Sequence, residues 1–331
     1  MSGSYQRDLA LAVEAVRAAA RVCAAVQQRL VTAETLEKRD RSPVTVADFA
    51  SQAIVCQRLL AELPSDAVVG EEDAGVLRSG SQPALLEAVV RELAAEVPGP
   101  PSAEDALRWI DRGGADASGG RYWTLDPIDG TKGFLRGDQY AVALALLEEC
   151  EVVLGVLACP NLPDGQGGRG AVFTAVRGQG AQVLPLGSGT KQGRPVRVAR
   201  VQRAAQARLC ESVESGHSDQ DRSARIAAAL GIRSEPLRID SQCKYAAVAR
   251  GDASIYLRMP TRKDYEEKVW DHAAGMLVVE EAGGRVTDVE GRKLDFRRGR
   301  TLVANRGVVA TCGSIHDEVL AAIAKVQEEP C

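Results

Sequence analysis

Two aspartates three positions apart, in Asp126-Pro127-Ile128-Asp129-Gly130-Thr131, form the segment of this chain best suited to chemistry. They follow an apolar and aromatic approach, Tyr122-Trp123-Thr124-Leu125, so the spelling predicts a strand ending in an acidic turn. Proline fixes one backbone dihedral and glycine permits an unusual one. Both carboxylates and the Ile128 carbonyl can then converge on one point, while Gly130 and Thr131 open a helix. Converging oxygens suit a hard cation, and the first N–H groups of such a helix suit an anion beside it. An ordinary Asp turn with a helix cap uses the same letters, so partners elsewhere in the chain must decide.

Three segments offer partners. Val69-Gly70-Glu71-Glu72-Asp73 follows the apolar Ala67-Val68 and puts carboxylates at a strand end, where one can be a ligand and the others read as a solvated loop. Trp270-Asp271-His272 precedes a helical stretch, Ala273 to Ala282, that stops at Gly283-Gly284, so Asp271 stands where a cap would. Asp48 likewise stands at the start of a second helix, expected to begin after it. The three histidines, 217, 272 and 316, have no zinc-type spacing, so oxygen ligation favours Mg2+. His272 is expected to pack in the interior and His316 to lie exposed at the start of the last helix.

The elements that must position these groups are legible in outline. Leu9, Val13, Val16, Ala20 and Cys23 recur at helical spacing, and Leu85 to Ala95 gives another helix, closed by the breaker-rich Val97-Pro98-Gly99-Pro100-Pro101. Tyr140 to Leu147, Val152 to Ala158 and Ala171 to Val176 read as adjacent strands. A Gly- and Pro-rich stretch from Leu184 to Pro195 suggests a boundary, taken as 1–184 and 185–331. Beyond it, helical patterns alternate with short strands such as Ser254 to Leu257 and Thr301 to Ala304. At 331 residues, two domains are expected.

Forty-one Lys and Arg against 45 Asp and Glu give a net charge of −4, which attracts neither nucleic acid nor an anionic membrane. The longest apolar runs, such as Ala141 to Leu147, are far below the ~20 residues of a membrane span. Met1 to Leu30 matches neither a signal core nor an acid-poor transit peptide. Eight scattered cysteines without a Cys-x-x-Cys pair suggest reduced thiols, hence a cytosol, or an organelle stroma if a presequence has been removed. Cys150 and Cys159, close in sequence, read as small hydrophobes rather than a disulfide.

Gly70-Glu71-Glu72, Asp126 to Thr131 and Trp270-Asp271-His272-Ala273-Ala274-Gly275, in that order, resemble the inositol monophosphatase superfamily of metal-dependent, lithium-sensitive phosphatases. The likeness is closer to its 3′(2′),5′-bisphosphate nucleotidase branch. It is carried there by Ser42 to Asp48, Lys132-Gly133-Phe134, Val213 to Ser218, Asp240-Ser241-Gln242-Cys243-Lys244-Tyr245 and Tyr256-Leu257-Arg258.

The resemblance implies a layered αβαβα sandwich, with an N-terminal α+β domain, a C-terminal α/β domain and a metal site between them. It implies that Glu71, Asp126, the Ile128 carbonyl, Asp129 and Asp271 hold two or three Mg2+ ions, and that Asp48 and Thr131 pass on the proton of the attacking water. Gly130, Thr131, His217, Ser241, Lys244, Arg258 and Asp271 would surround a nucleotide bisphosphate, and lithium would inhibit. Cys243 stands where alanine is expected, and reads as a buried, inert thiol. An inositol polyphosphate 1-phosphatase or inositol monophosphatase specificity is the alternative, and a catalytically silent nucleotide sensor a remoter one. A monomer or weak homodimer is expected.

Overall fold

The computed structural model describes residues 5–30, 42–116, 120–187, 189, 192–213, 220–260, 262 and 265–328. Two long helices, α1 (Gln6–Leu30) and α2 (Ser42–Glu62), lead into β1 (Ala67–Gly70). Three shorter helices follow: α3 (Gly75–Arg78), α4 (Pro83–Leu93) and α5 (Ala103–Asp111). The chain then forms β2 (Arg121–Asp129), α6 (Thr131–Leu135), β3 (Ala141–Glu148), β4 (Glu151–Pro163), β5 (Arg169–Val176), β6 (Gly180–Pro185) and β7 (Arg194–Pro195). These seven strands make one sheet in sequence order, parallel between β1 and β2 and antiparallel elsewhere. Strand β7 returns to pair with β6, so the first sheet continues past Leu184.

The remaining elements are β8 (Leu209–Glu211), α7 (Gln220–Ala229), β9 (Leu237–Arg238), α8 (Cys243–Arg250), β10 (Ile255–Arg258), α9 (Ala273–Glu281), β11 (Arg285–Thr287), β12 (Val308–Thr311) and α10 (His316–Glu328). Their strands form a second sheet in the order β11-β12-β10-β8-β9. The pattern Ala141-Val-Ala-Leu-Ala-Leu-Leu147 in β3 shows how the layers are built. Val142, Leu144 and Leu146 enter a core shared with α1 and α2, while Ala141, Ala143, Ala145 and Leu147 enter one shared with α8 and α9. Side chains alternate across a strand, so a run apolar at every position must be covered on both faces. On the outer face of the second sheet, Ile226 of α7 and Val319 and Ile323 of α10 pack on Leu209, Ile255 and Val309. Helices, sheet, helices, sheet and helices thus stack as five layers, as the resemblance implied. Among the described residues no helix is long and apolar enough to cross a membrane.

Three expectations from sequence are corrected. Helix α2 begins at Ser42, so Asp48 lies inside it, only 8% exposed, and does not cap it. Asp271 closes a 3-10 turn, Val269–Asp271, and α9 has His272 at its N-cap position. His316 is fully buried: its Nε2 meets the Thr287 hydroxyl and its Nδ1 the Thr311 hydroxyl, each at 2.9 Å.

Candidate active site

Because β1 and β2 are parallel neighbours, both reach the same edge of the sheet, and Glu71 leaves β1 beside the acidic end of β2. Pro127 has no N–H to give the ladder. There β2 bulges, with Asp126 opposite Ala143 and Asp129 already opposite Ala141. The Ser51 hydroxyl of α2 donates to the freed Pro127 carbonyl at 2.8 Å. Gly130 then takes a left-handed φ of +92°, and a Cβ there would stand 2.8 Å from the Cβ of Ser241, so only glycine lets the second half approach this turn. Helix α6 has just five residues, so the cationic side chains opposite, rather than its dipole, are what this site offers an anion.

Glu71, Asp126, Ile128, Asp129, Gly130, Thr131, Ser241, Lys244, Arg258 and Asp271 line one cleft of about 700 Å3. Asp48 lies behind it: its charge is one of those that raise the Asp126 carboxyl, while burial first, then Glu72 and Glu71, raises its own, and no hydrogen bond among the described residues joins it to Thr131. His217 lies outside the described residues. Glu71 opens onto the cleft, while Asp126 is 2% exposed.

Burial first, then the charges of Glu71, Asp129, Asp271 and Asp48, raise the Asp126 carboxyl well above the usual range. Burial, Asp271, Glu72 and Asp129 push Glu71 up to about 8. Burial and Asp271 push Asp129 up to about 6, against the pull of Lys244 and Arg258. Two carboxylates about 4 Å apart repel by roughly 4 kcal/mol at an effective dielectric of 20, so this cluster holds protons unless cations replace them. Asp126 Oδ1 is moreover buried without a hydrogen-bond partner among the described residues. Orphaned, charge-crowded oxygens fit a hard divalent cation.

The cationic wall is also built from within. Lys244 lies in the first turn of α8, is 4% exposed, and its ammonium lies 5.2 Å from the centre of the Tyr256 ring, so it is no surface charge. Burial lowers its proton affinity while Asp129 raises it. Arg258 donates from Nε to Glu267 at 2.7 Å and from Nη2 to Asp271 at 3.1 Å. His272 is packed as expected, with Nδ1 2.7 Å from the Tyr245 hydroxyl and Nε2 3.0 Å from Glu267. Burial would raise the Glu267 carboxyl, but Arg258 and His272 hold it down at about 2. Glu267, Asp271 and His272 bring potential ligand atoms within 4.8 Å of one another, although both nitrogens of His272 are engaged.

Sequence reasoning missed Glu267 and Gln242. Glu267 sits in Glu266-Glu267-Lys268, which reads as a solvated charge run until the fold supplies Arg258. The Gln242 N–H donates to Asp129, and its side-chain amide donates to the Trp270 carbonyl at 2.9 Å and accepts from the Gly275 N–H at 3.1 Å. Cys243 is buried, its thiol 3.3 Å from the Tyr140 carbonyl, and all seven described cysteines are free.

A five-layered sandwich with a carboxylate cleft between its halves is the plan of one phosphatase family. The model of the inositol monophosphatase family matches residues 4–328, and the chain belongs to that family. Its similarities then narrow to one branch. The 3′(2′),5′-bisphosphate nucleotidase of Emericella nidulans is 44% identical over 98% of this chain and 99% of its own length. The proteins of the same name from Oryza sativa and Schizosaccharomyces pombe are 45% and 43% identical, over 96% and 98% of this chain and 94% and 96% of theirs. Among solved structures, Mycobacterium tuberculosis SuhB aligns with a TM-score of 0.63 at 22% identity, over 98% of each chain. An inositol monophosphatase from Zymomonas mobilis aligns at 0.65 and 20%, over 97% of this chain and 99% of its own. At those identities the structures speak for the fold alone.

Proposed function

We propose that this chain is a Mg2+-dependent 3′(2′),5′-bisphosphate nucleotidase. It removes the 3′-phosphate of 3′-phosphoadenosine 5′-phosphate to give AMP and phosphate, and also takes the 5′-phosphosulfate analogue. The observation that carries this reading is one cleft in which four carboxylates face a buried lysine and an arginine. Such a site can hold a cation, a transferring phosphoryl group and a second, retained phosphate at once. The names of the nucleotidase relatives support it.

Glu71, Asp126, the Ile128 carbonyl, Asp129 and Asp271 would hold two or three Mg2+ ions. When bound, Mg2+ lowers the pKa of water and neutralises phosphoryl charge. The Thr131 hydroxyl takes a proton from the attacking water and passes its own to Asp48, whose affinity for it is raised by burial and then by Glu72 and Glu71. Water adds to phosphorus as the bond between phosphorus and O3′ breaks, the departing O3′ takes up a proton from solvent to become the 3′-hydroxyl of AMP, and no covalent enzyme intermediate forms. Lys244 and Arg258 bind the retained 5′-phosphate, with Gly130, Ser241 and His217 completing the nucleotide cradle. Residues 1–184 thus supply most cation ligands, and 185–331 the substrate cations and Asp271. We place the enzyme in a cytosol or organelle stroma, as a monomer or weak homodimer, inhibited by lithium.

Phosphate release is the test, measured in parallel on 3′-phosphoadenosine 5′-phosphate, inositol monophosphate and an inositol polyphosphate, with Mg2+ and with EDTA. Rapid, EDTA-sensitive release from the nucleotide is expected. Faster release from either inositol phosphate would move the specificity to that branch, and tight nucleotide binding without turnover would make the protein a sensor.

A further inference from the structure

Glu71 and Asp271 come from opposite halves of the chain, and Arg300 touches the backbone beside each. Its own carbonyl accepts from the Val269 N–H at 3.1 Å, the Leu302 N–H donates to the Glu267 carbonyl at 2.8 Å, and Lys268 and Thr301 form an antiparallel bridge. Arg300 is therefore backbone-paired to the segment that ends at Asp271. Its side chain crosses to the first half, where Nη2 donates to the Gly70 carbonyl at 2.5 Å and Nη1 to that of Ala115 at 3.3 Å. On the way its guanidinium lies 4.8 Å from the centre of the Trp270 ring. Gly70 and Trp270 are the residues immediately before Glu71 and Asp271.

The other side of Glu71 is held by Gln52, which is fully buried one turn beyond Asp48 in α2. Its Nε2 donates to the carbonyls of Glu72 at 2.6 Å and Ile110 at 2.9 Å, and its Oε1 accepts from the Glu72 N–H at 3.1 Å. A Cβ on Gly70 or on Gly113 would come within 2.4 Å of that amide. Neither Gln52 nor Arg300 lines the cleft.

We propose that Arg300 and Gln52 are positioning residues that fix Glu71 against Asp271 and so set the affinity for the cation. Without a cation nothing draws these two carboxyl groups together, and a loop free at Glu71 would relax away from Asp271. Gln52 pins that loop to α2, and Arg300 ties it to the backbone that carries Asp271. A guanidinium's rigid fork reaches two carbonyls while lying on an indole, which a lysine ammonium cannot reproduce. The inference rests on the proposed roles of Glu71 and Asp271 as cation ligands.

The test is Mn2+ binding without nucleotide, read from the electron paramagnetic resonance of free Mn2+, on wild type, Arg300→Lys, Arg300→Met and Gln52→Leu. Losing a group that orients metal ligands costs about 10- to 100-fold in metal affinity, and that loss is expected for Arg300→Met and Gln52→Leu. The half-saturating Mg2+ concentration should rise in parallel, while KM for the nucleotide at saturating Mg2+ stays within about twofold. Arg300→Lys keeps the charge and is expected to fold even if the others do not, and it should show at least a severalfold weakening. Wild-type Mn2+ affinity in a folded Arg300→Lys protein, or a loss confined to nucleotide KM, overturns the proposal. A wild type that binds no Mn2+ overturns the ligand assignment beneath it. A wild type that binds Mn2+ but leaves bisphosphate nucleotides intact overturns only the substrate reading.

Discussion

Asp126 combines deep burial with an oxygen that no group among the described residues satisfies, and four neighbouring acids make its ionised form costly. In the proposed enzyme a cation offsets that cost, so Asp126→Asn should separate function from stability. Turnover is expected to fall by roughly 10³-fold, equivalent to about 4 kcal/mol of transition-state stabilisation, while the EDTA-treated protein melts at a higher temperature than wild type. Kinetics with Mg2+ and thermal melts in EDTA measure the two effects. The same crowding fixes a pH dependence. Glu71, at about 8, and Asp129, at about 6, bind protons more tightly in the folded than in the unfolded chain. Their folded-state advantage is complete below the unfolded carboxylate values and is lost as pH rises through 6 and 8. Metal-free protein should therefore gain stability as pH falls from about 8 toward 5, a trend that Asp126→Asn weakens and that melts across this range would expose. In the proposed enzyme Lys244 bears on substrate choice instead. Lys244→Met should lower kcat/KM for the bisphosphate by about 10- to 100-fold, the worth of one charge-assisted contact, and barely alter that for a 3′-monophosphate.

Helix α10 is joined to the second sheet by His316, whose two nitrogens meet hydroxyls on β11 and β12. Burial first, then Arg285, lowers its pKa to about 4. The neutral ring is the folded form, so its stabilisation is complete above the unfolded value near 6.5 and is lost as pH falls from there to about 4. His316→Gln keeps a hydrogen-bonding amide without the titration, and the stability difference between wild type and variant should shrink across that window in denaturant titrations. The spelling hid this role, because a histidine followed by Asp317 and Glu318 looks like an exposed helix start. The elements themselves were more legible. Helix α1 shows its stripe because one face is wet, and β3 to β5 show as apolar runs because both faces are covered. The start of α2 was not visible, since Val46, Ala47, Phe49 and Ala50 are all buried and leave no polar phase to mark it. The acidic turn was readable because a bulge at Pro127 is a local event. Gln242 and Arg300 act across 28 to 230 positions of sequence, and Glu267 pairs with Arg258 on a separate strand, so no local pattern announces such pairs.

At the scale of the molecule, the cleft exists because β1 and β2 end where α8, β10 and the turn before α9 arrive from the other half. The proposed cation ligands lie on both sides of that junction, and the basic side chains proposed to bind substrate lie on one. A cation alone would neutralise the carboxylates, and a nucleotide alone would meet Lys244 and Arg258 across an uncompensated acidic floor. Each ligand should therefore raise the affinity of the other, since bound Mg2+ removes the repulsion that a phosphate meets and a phosphate adds oxygens to the cation. Mg2+ and AMP together, each near 100 times its dissociation constant, contribute about 2.7 kcal/mol apiece before coupling, and a kilocalorie moves the midpoint of a chain this size by about 2–4 °C. A rise of more than about 10 °C with both, exceeding the sum of the two separate shifts, is the expected result of thermal melts. Strict additivity would mean that the cation and the nucleotide occupy sites that do not share charge, and the junction would then be a scaffold for two independent sites.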